Sequence, residues 1–297
     1  MALNPKCSNH VLNWVLRETD SMSNTDFVKQ HPVIAYFVLT FAISWGGLLI
    51  AISPVGISGI MTLTTQNPLF LSVYLVTIAG PLVAGILLTI LVYGKTGLRD
   101  VVSRLFKWRV NAHWYAFAIL TAPLTVFVTL FGLSVFSPAF IPGIITASDR
   151  FSIILFALIV GLVTPFFEEL GWTGFAIPLI GKRYNILATG LIVGILWGAW
   201  HFLSNLYGVS ISAGTVPLTL FFPAILFSFL PPYRVLMVWV YDHTKSLFVA
   251  MVMHGCLDIF WLISAPIAII GVNLVTWYAA WAIVLWVIVG IVINRTS

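Results

Sequence analysis

The stretch TPFFEELGWTGF, residues 164–175, places two adjacent carboxylates, Glu168 and Glu169, in a chain that is 60% hydrophobic and only 8% charged. Two further stretches carry polar groups in equally apolar company. WGAWHF holds Trp197 and His201, and MHGCLDIF holds His254 and Asp258. In both, the spacing of four puts the two side chains on one helix face. Arg234 completes the set of ionisable residues inside apolar runs. An ionisable group at membrane depth is expensive unless paired or wetted, so each is a functional candidate. Together they supply what is needed to cleave a bond with water. A carboxylate in apolar surroundings suits a general base near neutral pH. Histidine can relay a proton or bond a developing oxyanion. The same residue types can ligate a metal, with Glu168, His201, His254 and Asp258 as the candidate ligands.

The elements that must position these groups are read from hydropathy. The mean hydropathy of +1.06 over 297 residues is that of a chain solvated by lipid. A spanning helix needs roughly 20 mostly apolar residues. Eight segments qualify, at about 33–52, 69–93, 112–136, 155–180, 185–206, 218–241, 246–264 and 267–293. The fourth is long enough to be tilted or broken. The expected fold is an all-α integral membrane protein, a bundle of about eight transmembrane helices with a polar site inside it. Residues 1–32 form an N-terminal arm and 33–297 a single domain. Within the arm, HVLNWVLRE, residues 10–18, is either a short helix on the membrane surface or a loose tail.

Twelve of the fourteen Lys and Arg fall on one alternating set of segments: the arm, the connections after spans two, four and six, and the C-terminus. The opposite set holds only Arg150, and segments 53–68 and 207–217 carry no charge. The excess of cations on cytoplasmic loops then places both termini in the cytoplasm. The net charge of +5 reflects this asymmetry, not nucleic-acid binding. No cleavable signal peptide is expected from the mostly polar start. Cys7 and Cys256 lie too far apart in the sequence to suggest a redox pair. With a rise of about 1.5 Å per residue, Glu168 lies ~20 Å up its span, His201 ~24 Å, and His254 and Asp258 ~12 and ~18 Å. Three helices can therefore bring them to one level.

In their order and spacing, the three motifs resemble those of the CAAX-protease and bacteriocin-processing family of intramembrane endopeptidases, which includes the type II enzymes that trim prenylated CAAX proteins. The family's motifs are EExxxR, an aromatic followed by xxxH, and HxxxN or HxxxD. Here they read Glu168-Glu169 in EELGWTGF, Trp197-xxx-His201 and His254-xxx-Asp258. GLRDVVSRLFKWRVNAHWY and YDHTKSLFVAMVMH also match, and the similarity covers about residues 33–265. The resemblance implies Glu168 as the water-activating glutamate and Glu169 as its supporting neighbour, turned ~100° away on the helix. It implies His201 as the histidine sharing the water, and His254 with Asp258 as the oxyanion pair. It leaves the cofactor open, either zinc or none. The implied substrate is a membrane-associated or lipidated peptide or protein, with membrane lipid as the other partner and no nucleic acid.

One departure bears on activity. The arginine of EExxxR is here Thr173, which cannot brace two carboxylates as a guanidinium does. Arg234 either reaches inward to replace it or snorkels to the interface. Trp197, Thr173 and Arg234 are taken as substrate-binding candidates. Asp258 is chemically distinct from the family's Asn, because ionised Asp only accepts hydrogen bonds. The alternative function is a non-catalytic family member, an immunity or scaffold membrane protein, and Thr173 favours it. A transporter ranks last, since no repeated half is visible. No HExxH or GxGD motif of other intramembrane proteases is present.

Overall fold

Four of the helices begin where a short polar side chain can take up a free backbone N–H. Asn111, Asp149, Asn185 and Ser246 each accept from an N–H two or three residues on. Such caps mark the points at which the chain returns into apolar sequence. The computed structural model describes residues 24–61, 67–206, 208–267 and 269–294, and those residues form helices and turns without strands. The stretch at residues 10–18 lies outside the described residues.

The main helices are α1 (Pro32–Ala51), α2 (Leu69–Leu105), α3 (Ala112–Ser134), α4 (Arg150–Gly171), α5 (Ile186–Trp200), α6 (Leu218–Phe227), α7 (Leu230–Thr244), α8 (Leu247–Ser264) and α9 (Gly271–Asn294). After α4 the chain makes a π-helical turn, Trp172–Ala176, and a last helical turn, Ile177–Ile180. Among the described residues, seven segments, counting α4 to Ile180 and α6 with α7 as one each, are long and apolar enough to cross a membrane. The chain is an integral, multi-pass, all-helical membrane protein. Its outward faces are aliphatic, with Val128, Phe151 and Leu162 largely exposed, while five tryptophans are sealed inside. That inversion suits lipid outside and polar groups within.

Three boundaries differ from expectation. The fifth span, expected over 185–206, is helical only to Trp200. Its 15 residues reach about 22 Å, short of a full crossing. The His201 carbonyl takes hydrogen bonds from Ser204 Oγ and Asn205 Nδ2, which favours turns over continued helix. The second helix runs past residue 93 to Leu105 but breaks at Gly94, whose φ of 59° is the left-handed region open to glycine. The sixth span divides at Ser228–Phe229, before the Pro231-Pro232 pair that opens α7.

Close crossings position the site. An ideal Cβ on Gly255 would lie 2.3 Å from the Gly161 carbonyl, so α4 and α8 touch backbone to backbone one residue from His254. Likewise a Cβ on Gly171 would meet the Pro81 carbonyl at 2.3 Å, which holds α2 against α4 two residues from Glu169. Only residues without a side chain permit such approaches.

Candidate active site

Glu168 and Glu169 end α4 and point to different partners. Glu169 is fully buried and accepts from Arg234 Nη1 at 2.7 Å. It also meets His254 Nδ1 at 2.7 Å and Thr173 Oγ1 in a short contact. Glu168 accepts on one oxygen, Oε2, from the indole N–H of Trp197 at 2.8 Å and of Trp172 at 3.2 Å. No donor among the described residues reaches its Oε1. The ~100° between neighbours on a helix thus separates a braced carboxylate from one with a free oxygen.

Trp197 links the two. Its ring lies under the Arg234 guanidinium, 4.1 Å from Cζ to centroid, while its edge bonds Glu168. A cation on an indole face strengthens the same indole as an N–H donor at its edge. Arg234 therefore serves Glu169 directly and Glu168 through one ring. Its Nε and Nη2 have no hydrogen-bond partner among the described residues.

His201 caps α5. Its Nδ1 lies 2.8 Å from the Trp197 carbonyl, which can only accept, so in the neutral ring Nδ1 carries the proton and Nε2 the lone pair. His254 stands edge-on to Trp197, with centroids 5.1 Å apart. Its Nε2 faces Asp258 Oδ2 at 3.7 Å, beyond hydrogen-bond length. That Oδ2 is buried without a hydrogen-bond partner among the described residues.

Two chambers meet at this cluster. One of about 490 Å³ is lined by Glu168, His201 and Asp258, and by Tyr74 and Thr164. The other, of about 290 Å³, is lined by Trp197, His201 and Asp258 and by aliphatic residues such as Ile225 and Leu257. His201, Ser204, Asp258 and Trp261 belong to both walls. Every candidate of the three motifs is thus within one cluster. Arg234 reaches inward and does not snorkel. Thr173 and Arg234, expected to touch substrate, bond Glu169 and line neither chamber, whereas Trp197 lines the smaller one.

The cluster is a polar site drawn from four helices in an otherwise apolar bundle. Residues 150–260, which contain all three motifs, match the family model described as Type II CAAX prenyl endopeptidase Rce1-like. A CAAX prenyl protease 2 of Methanococcus maripaludis is 24% identical over 246 residues, covering 78% of this chain and 84% of that protein. Both matches agree with the motifs in likening the chain to the CAAX-protease and bacteriocin-processing family. These similarities support a CAAX-prenyl-protease-like function. In this chain the guanidinium beside the second glutamate comes from α7 instead of from the helix that bears the acids.

Among the described residues no three His, Cys, Asp or Glu side chains group as a metal site. Of the four candidate ligands, His254 is engaged by Glu169 through Nδ1, while Glu168, His201 and Asp258 line the larger chamber.

Three site residues went unnoticed in the sequence. Trp172 and Thr164 stand four residues after and four before Glu168. The spacing used for the other motifs therefore applied to them. Tyr74, whose hydroxyl lies 2.6 Å from Thr164 Oγ1, has no such signal.

Proposed function

We propose that the protein hydrolyses a peptide bond in a membrane-associated or lipidated substrate, with Glu168 as the base that activates water. The observation that carries this reading is the state of Glu168. Two indole N–H groups fix one of its oxygens, and the residue faces a 490 Å³ chamber that it shares with His201 and Asp258. A water on Oε1, shared with His201 Nε2, would add its oxygen to the substrate carbonyl carbon while Glu168 takes its proton. The carbonyl electron pair moves to oxygen, toward the side of the chamber lined by Asp258, with His254 behind it. As the C–N bond breaks, the proton held by Glu168 passes to the leaving nitrogen, giving a carboxylic acid and an amine. Glu169, neutralised by Arg234, orients His254 and takes no proton. No step requires a metal.

We also assign both termini to the cytoplasm, on the distribution of Lys and Arg. In a chain with Cys7 and Cys256 replaced, an impermeant maleimide on intact cells should label Ser148→Cys and spare Lys182→Cys. The reverse result would invert the topology.

The test of catalysis is incubation of the purified protein in vesicles with a peptide library, with Glu168→Ala as control. Cleavage that disappears in Glu168→Ala supports the reading. Equal product from both, or none from either, would favour the non-catalytic alternative, an immunity or scaffold protein. The Arg234 brace weighs against that alternative, because Thr173 no longer implies two unbraced glutamates.

A further inference from the structure

The π turn after α4 carries both glutamates' closest local partners. Trp172 donates to Glu168 and Thr173 to Glu169. The same turn interrupts the helical ladder. The Ile177 N–H is drawn to the Trp172 carbonyl, five residues back, and so away from that of Thr173. Pro178 has no N–H to give the Gly174 carbonyl four residues before it. Two carbonyls beside the site are thereby left for an outside donor.

Arg104 is that donor. It lies on the part of α2 beyond the Gly94 break, where its side chain is only 14% exposed. Its Nη2 bonds the Gly174 carbonyl at 2.8 Å, and its Nη1 approaches that of Thr173 at 3.4 Å and bonds Tyr241 Oη at 2.8 Å. Asp100, one turn earlier, holds the guanidinium at 2.8 Å. Tyr241 belongs to α7, seven residues after Arg234. One side chain thus ties the basic end of α2 to the turn that aims Trp172 and Thr173 and to the helix that supplies the brace.

We propose that Arg104 is a positioning residue: by clasping the Thr173 and Gly174 carbonyls it holds the π turn in the register that fixes Glu168 and Glu169. Nothing else described reaches this turn from the basic side with a forked donor, and lysine, a single point donor, cannot span two carbonyls and a hydroxyl. The inference rests on the catalytic reading for its kinetic consequence, but the clasp itself can be observed without activity.

The experiment uses the full chain labelled with 5-fluorotryptophan, the Trp172 resonance being assigned from Trp172→Phe. Arg104→Gln should shift or broaden the Trp172 signal and leave that of the distant Trp277 in place. Misplacement of reacting groups by about 1 Å costs on the order of 10²-fold in rate, so kcat should fall by that order with KM nearly unchanged. Arg104→Lys should fall between the two. Adding Pro178→Ala to Arg104→Gln returns a backbone N–H to the Gly174 carbonyl and should recover part of both signals. An unmoved Trp172 resonance in Arg104→Gln overturns the proposal. So does a loss of folded protein with normal kcat per folded molecule, which would make Arg104 a stabilising residue only. If the parent protein shows no Glu168-dependent cleavage, the catalytic reading falls, while the resonance still decides whether the clasp holds the turn.

Discussion

Replacing Arg234 by glutamine tests whether the relocated guanidinium is what keeps the two glutamates usable. The pair is completely sealed, with both side chains at 0% exposure and 2.7 Å between Nη1 and Oε1. Breaking one side of a buried pair leaves an uncompensated charge and costs about 3–5 kcal/mol. Glutamine can return one neutral hydrogen bond, so the lower end, ~3 kcal/mol, is the fairer figure. If that loss falls on the transition state, each 1.36 kcal/mol is tenfold, and kcat/KM drops by about 10²-fold. The ring under the guanidinium adds a second route of loss, since Trp197 hands Glu168 its shorter hydrogen bond. The assay is Glu168-dependent cleavage of a peptide in vesicles, read with the thermal stability of the same preparations. Two further variants separate charge from shape. Arg234→Gln with Glu169→Gln removes both charges and should regain most of the stability without the activity, so the two substitutions should be strongly non-additive. Arg234→Gln with Thr173→Arg moves the cation to the position where the family's motif has it, and should regain part of the activity. Parent-level cleavage by Arg234→Gln, or additive effects in the cycle, would refute the reasoning.

Other substitutions address single contacts. Trp197→Phe removes one donor to a buried carboxylate, a bond of about 1.5–3 kcal/mol, and should lower kcat by at least about tenfold while the protein still folds. Leu257→Trp fills part of the 290 Å³ chamber and should shift the peptide-library profile toward smaller side chains, with cleavage still dependent on Glu168. Chelation should leave cleavage unchanged, and elemental analysis should find less than one zinc per chain; stoichiometric zinc that disappears in Asp258→Asn would instead make Asp258 a ligand. Gly255→Val drives a side chain into the Gly161 carbonyl, costs about 1–3 kcal/mol as overpacking, and should separate His254 from Glu169, with loss of activity exceeding loss of folded protein.

The bundle was legible because lipid imposes a simple rule: long apolar runs must be helices, and their ends show as polar caps such as Asn111 and Asp149. The site was legible for the complementary reason that Glu168, His201, His254 and Asp258 have no business in such runs unless they meet. Connectivity among them was harder to read. Whether Arg234 turned inward depended on which face of α7 packs against α5 and α8, and a segment hydrophobic on nearly all sides does not declare its face. The end of α5 at Trp200 follows from side chains at His201, Ser204 and Asn205 competing for backbone groups, a local contest that hydropathy does not register. The reach of α2 to Leu105 was missed because its last turns are amphipathic, not apolar.

The position of the brace has a consequence for how this site tolerates change. With an arginine on the same helix as the acids, cation and carboxylates move together, and the pairing survives shifts of that helix. Here the cation stands on α7 and the acids on α4, so the pair of charges is also a joint between two helices. Every displacement of α7 relative to α4 is felt by Glu169 through a 2.7 Å bond and by Glu168 through the Trp197 ring. Thr173 fits the same logic: a side chain shorter than arginine, bonded to Glu169 from within its own helix, leaves room for the guanidinium that arrives from outside. The loss of the motif arginine and the burial of Arg234 are therefore one structural feature, and neither residue can be interpreted without the other.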